Sequence, residues 1–197
     1  MERMAQLEQM AQKHGGILKT SMVVDAGISK PTLSAFIQKH GYERISSGIY
    51  CDPDTWLDEL YLLQLRCPSL VFSHDTALFL YDLTDREPIA PTVTAKTGYN
   101  PSHLTKEGVK VYTVKADLFE LGKTTQQTPY GNTVTTYNLE RTICDIVRSR
   151  RTIDMQVYQD ALKQYSRRRD KNLHQLMEYA RLFRVNKILT PYLEVLL

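Results

Sequence analysis

The stretch DAGISKPTLSAFIQKHGYERISSGIYCD (residues 25–52) decides the fold at the N-terminal end of the chain. Ser29 is a good N-cap for a helix, and Pro31 falls in the first turn, where its missing N–H costs little. Leu33 and Phe36 then share one side of that helix. The pattern predicts a helix that starts near Ser29 and buries one face.

The other face of this helix is slim and polar. It carries Lys30, Thr32, Ser34, Ala35 and Gln38. Two shorter helical patterns precede it, at residues 2–13 and 21–26, and a hairpin around Ser46-Ser47-Gly48 follows it. A helix with one buried face and one slim, hydrogen-bonding face fits the major groove of DNA. The order of elements therefore predicts a winged helix-turn-helix DNA-binding domain over residues 1–52.

We expect the polar side chains of the third helix to reach base edges and the basic ones to contact phosphates. The predicted DNA-binding residues are Lys13, Lys19, Ser29, Lys30, Thr32, Ser34, Ala35, Gln38, Lys39, Arg44 and Ser47. Residues 1–52 hold 6 basic and 5 acidic side chains, so we expect the electrostatic attraction between one copy of the chain and DNA to be modest. A purely structural three-helix unit remains the alternative.

The rest of the chain, residues 53–197, predicts a mixed α+β domain with a small sheet and a C-terminal run of helices. Runs of β-branched and aromatic residues fill residues 91–136, and helical apolar stripes follow. An apolar pattern predicts a well-buried helix from Trp56 to Leu65. GKTT at 122–125 lacks the upstream glycine of a phosphate-binding loop, so it predicts a polar turn between strands.

Charge is distributed unevenly, with 7 basic and 11 acidic residues over 53–140 and 12 basic and 6 acidic residues over 141–197. Five arginines of the basic part are possible contacts to a DNA backbone or a partner: Arg150, Arg151, Arg167, Arg168 and Arg169. Solvated helix ends are the alternative explanation. Arg141 and Asp145 stand four residues apart, which predicts an ion pair along one helix.

Cysteine and histidine spacing predicts neither a metal site nor a disulfide, and we expect no cofactor. Each histidine is expected to be a surface residue or a satisfied core residue. Ser73, His74 and Asp75 are adjacent, so we expect them to face apart and to serve as a local helix cap rather than a hydrogen-bonded relay. No apolar run of about 18 residues and no signal peptide are present, which predicts a cytoplasmic protein without a membrane segment.

The chain resembles the AbiEi-type antitoxins of bacterial abortive-infection systems. Three segments carry the resemblance, in this order: residues 25–50, VFSHDTALFLYDLTDREP (71–88) and YNLERTICDIVRSRRTIDMQVYQDALKQY (137–165). The resemblance implies a winged helix-turn-helix autorepressor that binds inverted repeats in its promoter. It also implies a type IV antitoxin acting against a nucleotidyltransferase-like toxin without a stable complex.

The resemblance places DNA contacts on the third helix and in the wing, at Arg44 and Ser47. Ser46-Ser47-Gly48 is neutral, whereas wings of this kind are often rich in arginine or lysine, which argues against strong insertion into the minor groove. We therefore expect a second copy to assist binding, by cooperative self-association on DNA.

Two other classes of function remain open. One is a nucleic-acid-processing enzyme that the N-terminal unit targets to DNA, although the sequence shows no clustered carboxylates and no nucleophile with its base. The other is an interaction module that holds a partner protein through the C-terminal helices. The motifs of the second domain receive no catalytic role.

Overall fold

The computed structural model describes residues 2–196, which form a mixed α+β fold with two small sheets. The chain divides into two compact units. The first consists of the chain up to Cys67 together with Thr128–Asn132, and the second of Pro68–Gln127 with the chain from Thr133 onward. The first unit thus continues beyond residue 52, where the sequence places the domain boundary.

The first unit has four helices and a three-stranded antiparallel sheet within the described residues. In chain order they are α1 (Glu2–Lys13), β1 (Ile17–Lys19), α2 (Thr20–Asp25), α3 (Lys30–His40), β2 (Glu43–Ser46), β3 (Ile49–Cys51) and α4 (Glu59–Arg66). The strand order is β1-β3-β2. The three predicted helices and the hairpin are present, whereas β1 was not predicted.

The predicted helix from Trp56 to Leu65 begins later in the structure. Asp58 caps α4, because its Oδ1 accepts a hydrogen bond from the Tyr61 backbone N–H at 3.0 Å. Trp56 lies before this cap and is 83% exposed. The expectation that Trp56 belongs to a well-buried helix is therefore wrong.

The second unit contains a five-stranded sheet and a series of helices. In chain order these are β4 (Val71–Phe72), α5 (His74–Leu80), β5 (Thr92–Lys96), α6 (Ser102–Lys106), β6 (Lys110–Val114), α7 (Ala116–Phe119), β7 (Lys123–Gln127), β8 (Thr133–Tyr137), α8 (Leu139–Arg148), α9 (Met155–Arg167), α10 (Leu173–Leu182) and α11 (Asn186–Leu196). The strand order is β6-β5-β4-β8-β7. The β4–β8 and β5–β6 pairs are parallel, and the other pairs are antiparallel.

The segment GKTT does not form the predicted polar turn. Lys123 begins β7, which pairs with β8 along the edge of the sheet. Of these four residues only Gly122 belongs to the turn, with φ of 73°. An edge strand exposes most of its side chains, which explains why its sequence is polar.

Helix α8 lies in the core of the second unit, and every residue from Leu139 to Val147 is buried. The predicted pair is confirmed, with Arg141 Nε 2.9 Å from Asp145 Oδ2. Both side chains are fully buried. The Arg141 guanidinium lies between the rings of Tyr137 and Phe183, at 4.0 and 4.1 Å from their centroids. The sequence indicates the pair but not its burial.

Within residues 2–196, no helix combines the length and the apolar character needed to cross a bilayer. The three cysteines, Cys51, Cys67 and Cys144, are free.

Candidate nucleic-acid interface

The ends of α3 are set by local chemistry. Ser29 Oγ accepts a hydrogen bond from the Thr32 backbone N–H at 3.3 Å, and Pro31 stands in the first turn. Gly41 ends the helix in the left-handed conformation, with φ of 71°. Ser29 Oγ also lies 2.8 Å from Thr32 Oγ1. These two predicted DNA contacts therefore engage each other at the start of α3.

The core of the first unit fixes the rotation of α3 about its axis. Leu33 and Phe36 are buried, at 3% and 1% exposure, in one cluster with Leu7 of α1 and Val23 of α2. Ile37 packs at the edge of this cluster. Because one face is held in the core, the opposite face is directed to solvent.

Five of the predicted contacts form that solvent-facing side of α3. They are Lys30, Ser34, Ala35, Gln38 and Lys39, and all are exposed. At 100° per residue they span an arc of about 180°, with Ser34, Gln38 and Ala35 in the middle and a lysine at each edge. We call these five residues the α3 face. A slim centre flanked by cations is the arrangement that places a helix in a groove between phosphates.

The β2–β3 hairpin follows α3 and carries the remaining two predicted contacts of this region. Arg44 and Ser47 are exposed, and the register shifts between Arg44 and Ser46. Arg44 Nε donates to the Ser46 carbonyl at 3.4 Å, so the guanidinium lies back along its own strand. The Gly48 carbonyl accepts from the Thr20 N–H at 2.8 Å, which ties the turn to the start of α2.

The two lysines outside α3 differ in their surroundings. Lys13 is exposed at the end of α1. Lys19 is half-buried, and its Nζ donates to the Leu65 carbonyl at 2.6 Å. Lys13 is therefore free to contact a phosphate, whereas Lys19 must first leave a backbone partner.

A different side of the first unit is acidic. Glu8, Asp52 and Asp54 line a cleft of about 460 Å³. Burial, followed by the Asp52 and Glu8 carboxylates among its charged neighbours, raises the pKa of Tyr42 in this cleft to about 12. His40 of α3 also lines the cleft. Since an acidic surface repels phosphates, this side argues for an approach of DNA through the α3 face.

The predicted arginine contacts of the second unit lie after α8 and around the end of α9. Arg150, Arg151, Arg167 and Arg169 are exposed. Arg168 is half-buried; it makes two contacts of 2.8 Å with the Asp170 carboxylate and donates to the Tyr81 carbonyl at 2.9 Å. The four exposed arginines are accessible to a polyanion, and Arg168 has a structural role.

The sequence did not indicate the polar chain that joins Ser73, His74 and Ser149 inside the second unit. His74 Nδ1 lies 2.9 Å from Ser73 Oγ, and His74 Nε2 lies 3.1 Å from Ser149 Oγ. The expectation that adjacent residues face apart is wrong here, because His74 has a φ of 49° and turns toward Ser73. Its ring also stacks on Tyr112 at 3.5 Å between centroids.

The surroundings of His74 are those of a satisfied, buried side chain. Both ring nitrogens have a hydroxyl partner, and the direction of these two hydrogen bonds depends on the tautomer of the ring. Thr94 Oγ1 also donates to Ser73 Oγ at 2.8 Å. Burial holds the pKa of His74 well below its ordinary value. These hydrogen-bonded side chains therefore form a structural link between α5 and the end of α8.

Among the described side chains, no group of three or more His, Cys, Asp or Glu residues is arranged to hold a metal ion. Comparison with known proteins finds no family model that matches the chain and no match among curated proteins.

Proposed function

We propose that the chain is a transcriptional repressor that binds double-stranded DNA in the promoter of its own operon. The α3 face enters the major groove, and the β2–β3 hairpin follows the neighbouring backbone as a wing. The observation that carries the proposal is the α3 face itself, in which Ser34, Ala35 and Gln38 are exposed between two lysines.

The dimensions of α3 suit this role. An α-helix with its side chains is about 10–12 Å in diameter, and the major groove is about 12 Å wide. Gln38 offers an amide that can pair with the edge of adenine, and Ala35 offers a methyl group for contact with the thymine methyl. The α3 face therefore favours half-sites that contain A·T pairs.

A gel-shift assay with the DNA upstream of the gene tests the proposal directly. We expect binding to that DNA at least about tenfold tighter than to a scrambled duplex of equal composition, even for a weak specific reader. Equal affinity for the two duplexes would refute it.

Two variants separate contacts to the DNA backbone from recognition of bases. Lys30→Ala should weaken binding to all duplexes, because it removes a phosphate contact. Gln38→Ala should relax the preference at one base pair by about 1–3 kcal/mol. Arg3→Ala and Gln12→Ala are the matched controls, since both residues lie on α1 and outside the α3 face. If Lys30→Ala and Gln38→Ala change binding in the same way, the assigned roles on α3 are incorrect.

The same proposal gives the second unit an antitoxin role, which rests on the resemblance to AbiEi-type antitoxins. The partner is then a nucleotidyltransferase-like toxin encoded beside this gene, countered without a stable complex. Co-expression with that neighbouring gene should restore growth, and co-purification should recover no toxin. Failure to restore growth would remove the antitoxin role and leave the DNA-binding proposal intact.

A further inference from the structure

A basic cleft in the second unit has no role in the proposal above. It has a volume of about 490 Å³ and opens beside the ends of β6, α8 and α10. Three cationic side chains line it, Lys115, Arg148 and Arg184, together with the hydroxyl-bearing Thr97 and Thr113. All of these residues belong to the same compact unit.

The positive charge in this cleft is only partly compensated. Arg148 Nη2 lies 3.5 Å from Asp145 Oδ1, but Asp145 Oδ2 also forms an ion pair with Arg141 Nε at 2.9 Å. One carboxylate therefore serves two guanidinium groups, and the three residues keep a net charge of +1. Arg148 is held in place by this pair, with its side chain 29% exposed.

The other two cations are less constrained. Within residues 2–196, neither the Lys115 ammonium nor the Arg184 guanidinium forms a side-chain hydrogen bond or ion pair. Asp117 is the one carboxylate among the described residues that line the cleft. Three cations against one carboxylate in a concave surface attract an anion.

The backbone at Arg184 is left-handed where the chain leaves α10. Arg184 follows α10 with a φ of 58°, and the Val185 N–H closes the helix end on the Ala180 carbonyl at 2.8 Å. Glycine is the usual residue at such a left-handed position. An arginine there adopts a strained conformation that a glycine would relieve.

We infer that this cleft binds a small phosphate-bearing anion. The guanidinium groups of Arg148 and Arg184 and the Lys115 ammonium supply charged donors to the phosphate oxygens, and Thr97 and Thr113 supply neutral ones. The exposed Leu182 side chain at the rim offers an apolar surface to a nucleoside. Inorganic phosphates and nucleotides share this chemistry.

Isothermal titration calorimetry on the full chain tests this inference, with orthophosphate, pyrophosphate and ATP as probes at constant ionic strength. We expect saturable binding of at least one probe. ATP binding tighter than pyrophosphate binding identifies a nucleotide as the source of the phosphate, and equal affinities identify inorganic phosphate. Absence of saturable binding by all three probes overturns the inference.

Arg184→Gly is the decisive variant, because it removes a cation while it relieves the backbone. We expect the dissociation constant to rise about tenfold and the melting temperature to stay equal or increase. Lys115→Gln should weaken binding similarly. Arg181→Gln, on α10 but outside the cleft, is the matched control and should bind as the unmodified chain does. Unchanged binding by Arg184→Gly, or an equal loss in Arg181→Gln, overturns the inference.

Discussion

Replacing Asp145 by asparagine is the most informative test of the second unit. The substitution keeps the shape of the side chain and removes its negative charge. Asp145 is fully buried, and it faces Arg141 at 2.9 Å and Arg148 at 3.5 Å. Asp145→Asn therefore leaves one fully buried guanidinium and one partly buried guanidinium without their carboxylate.

The structure allows the size of the effect to be worked out. Breaking a buried ion pair by removing one partner costs about 3–5 kcal/mol, because a buried charge is left uncompensated. Arg141 keeps two hydrogen bonds, to the Leu118 and Leu121 carbonyls at 2.7 and 2.8 Å. Arg148 is accessible to water. Both facts favour the lower end of the range, about 3 kcal/mol of lost unfolding free energy.

Urea-induced unfolding followed by circular dichroism measures this loss. The matched control is Asp170→Asn, which breaks the contacts of Asp170 with Arg168 at the surface. The Asp170 side chain is 58% exposed, so the control should lose no more than about 1 kcal/mol. A loss below about 1 kcal/mol for Asp145→Asn, or equal losses for the two variants, would refute the reasoning about burial.

Two further predictions concern the same unit. Burial lowers the pKa of His74, so the unfolded chain binds a proton at this residue more readily than the folded chain does. The contribution of His74 to the free energy of unfolding is therefore full above a pH of about 6.5 and falls by about 1.4 kcal/mol per pH unit below it. His74→Gln should flatten this dependence in urea titrations at several pH values, and an unchanged slope would contradict it. Gly122→Ala should cost about 2–4 kcal/mol, because φ is 73° and the new Cβ would lie 2.7 Å from Arg141 Cβ. Gly108→Ala is the control for backbone strain alone, because φ is 87° and no atom lies within 4 Å of the new Cβ. Equal losses of unfolding free energy in the two variants would show that the structure relaxes around the new Cβ at residue 122 without a steric cost.

The parts of the fold that the sequence predicted are those with strong local signals. α3 has a capping serine, a proline in its first turn and a glycine at its end, and all three act within a few residues of one another. The predicted α4 failed at Trp56 because apolar spacing alone ignores the competing cap at Asp58.

The parts that were missed depend on pairing between distant segments. β1 has three residues, Ile17–Lys19, and its register is set by β3. β7 is polar, so no alternation marks it before β8 is in place. The same limit applies to the sites: the α3 face follows from helical periodicity, whereas the basic cleft joins Lys115, Arg148 and Arg184 from separate parts of the chain.

The proposed DNA binding can be analysed further, because its salt dependence gives the number of copies per duplex. Four of the predicted contacts in the first unit are exposed cations that can meet phosphates: Lys13, Lys30, Lys39 and Arg44. Lys19 is left out, because its ammonium is held by the Leu65 carbonyl. A slope of about −0.9 per phosphate in the plot of log K against log salt gives about −4 for one copy and about −7 for two.

Binding measured between about 50 and 200 mM salt gives this slope, and sedimentation of the complex gives the stoichiometry independently. A slope near −7 with two chains per duplex means that the first units alone account for the phosphate contacts. A slope steeper than about −7 with two chains means that exposed arginines of the second unit also contact the backbone. Arg150→Ala and Arg151→Ala should then each reduce the slope by about 2, because each removes one phosphate contact from both chains. A slope shallower than about −2 would contradict the assignment of the α3 face, because Lys30 and Lys39 alone account for that much.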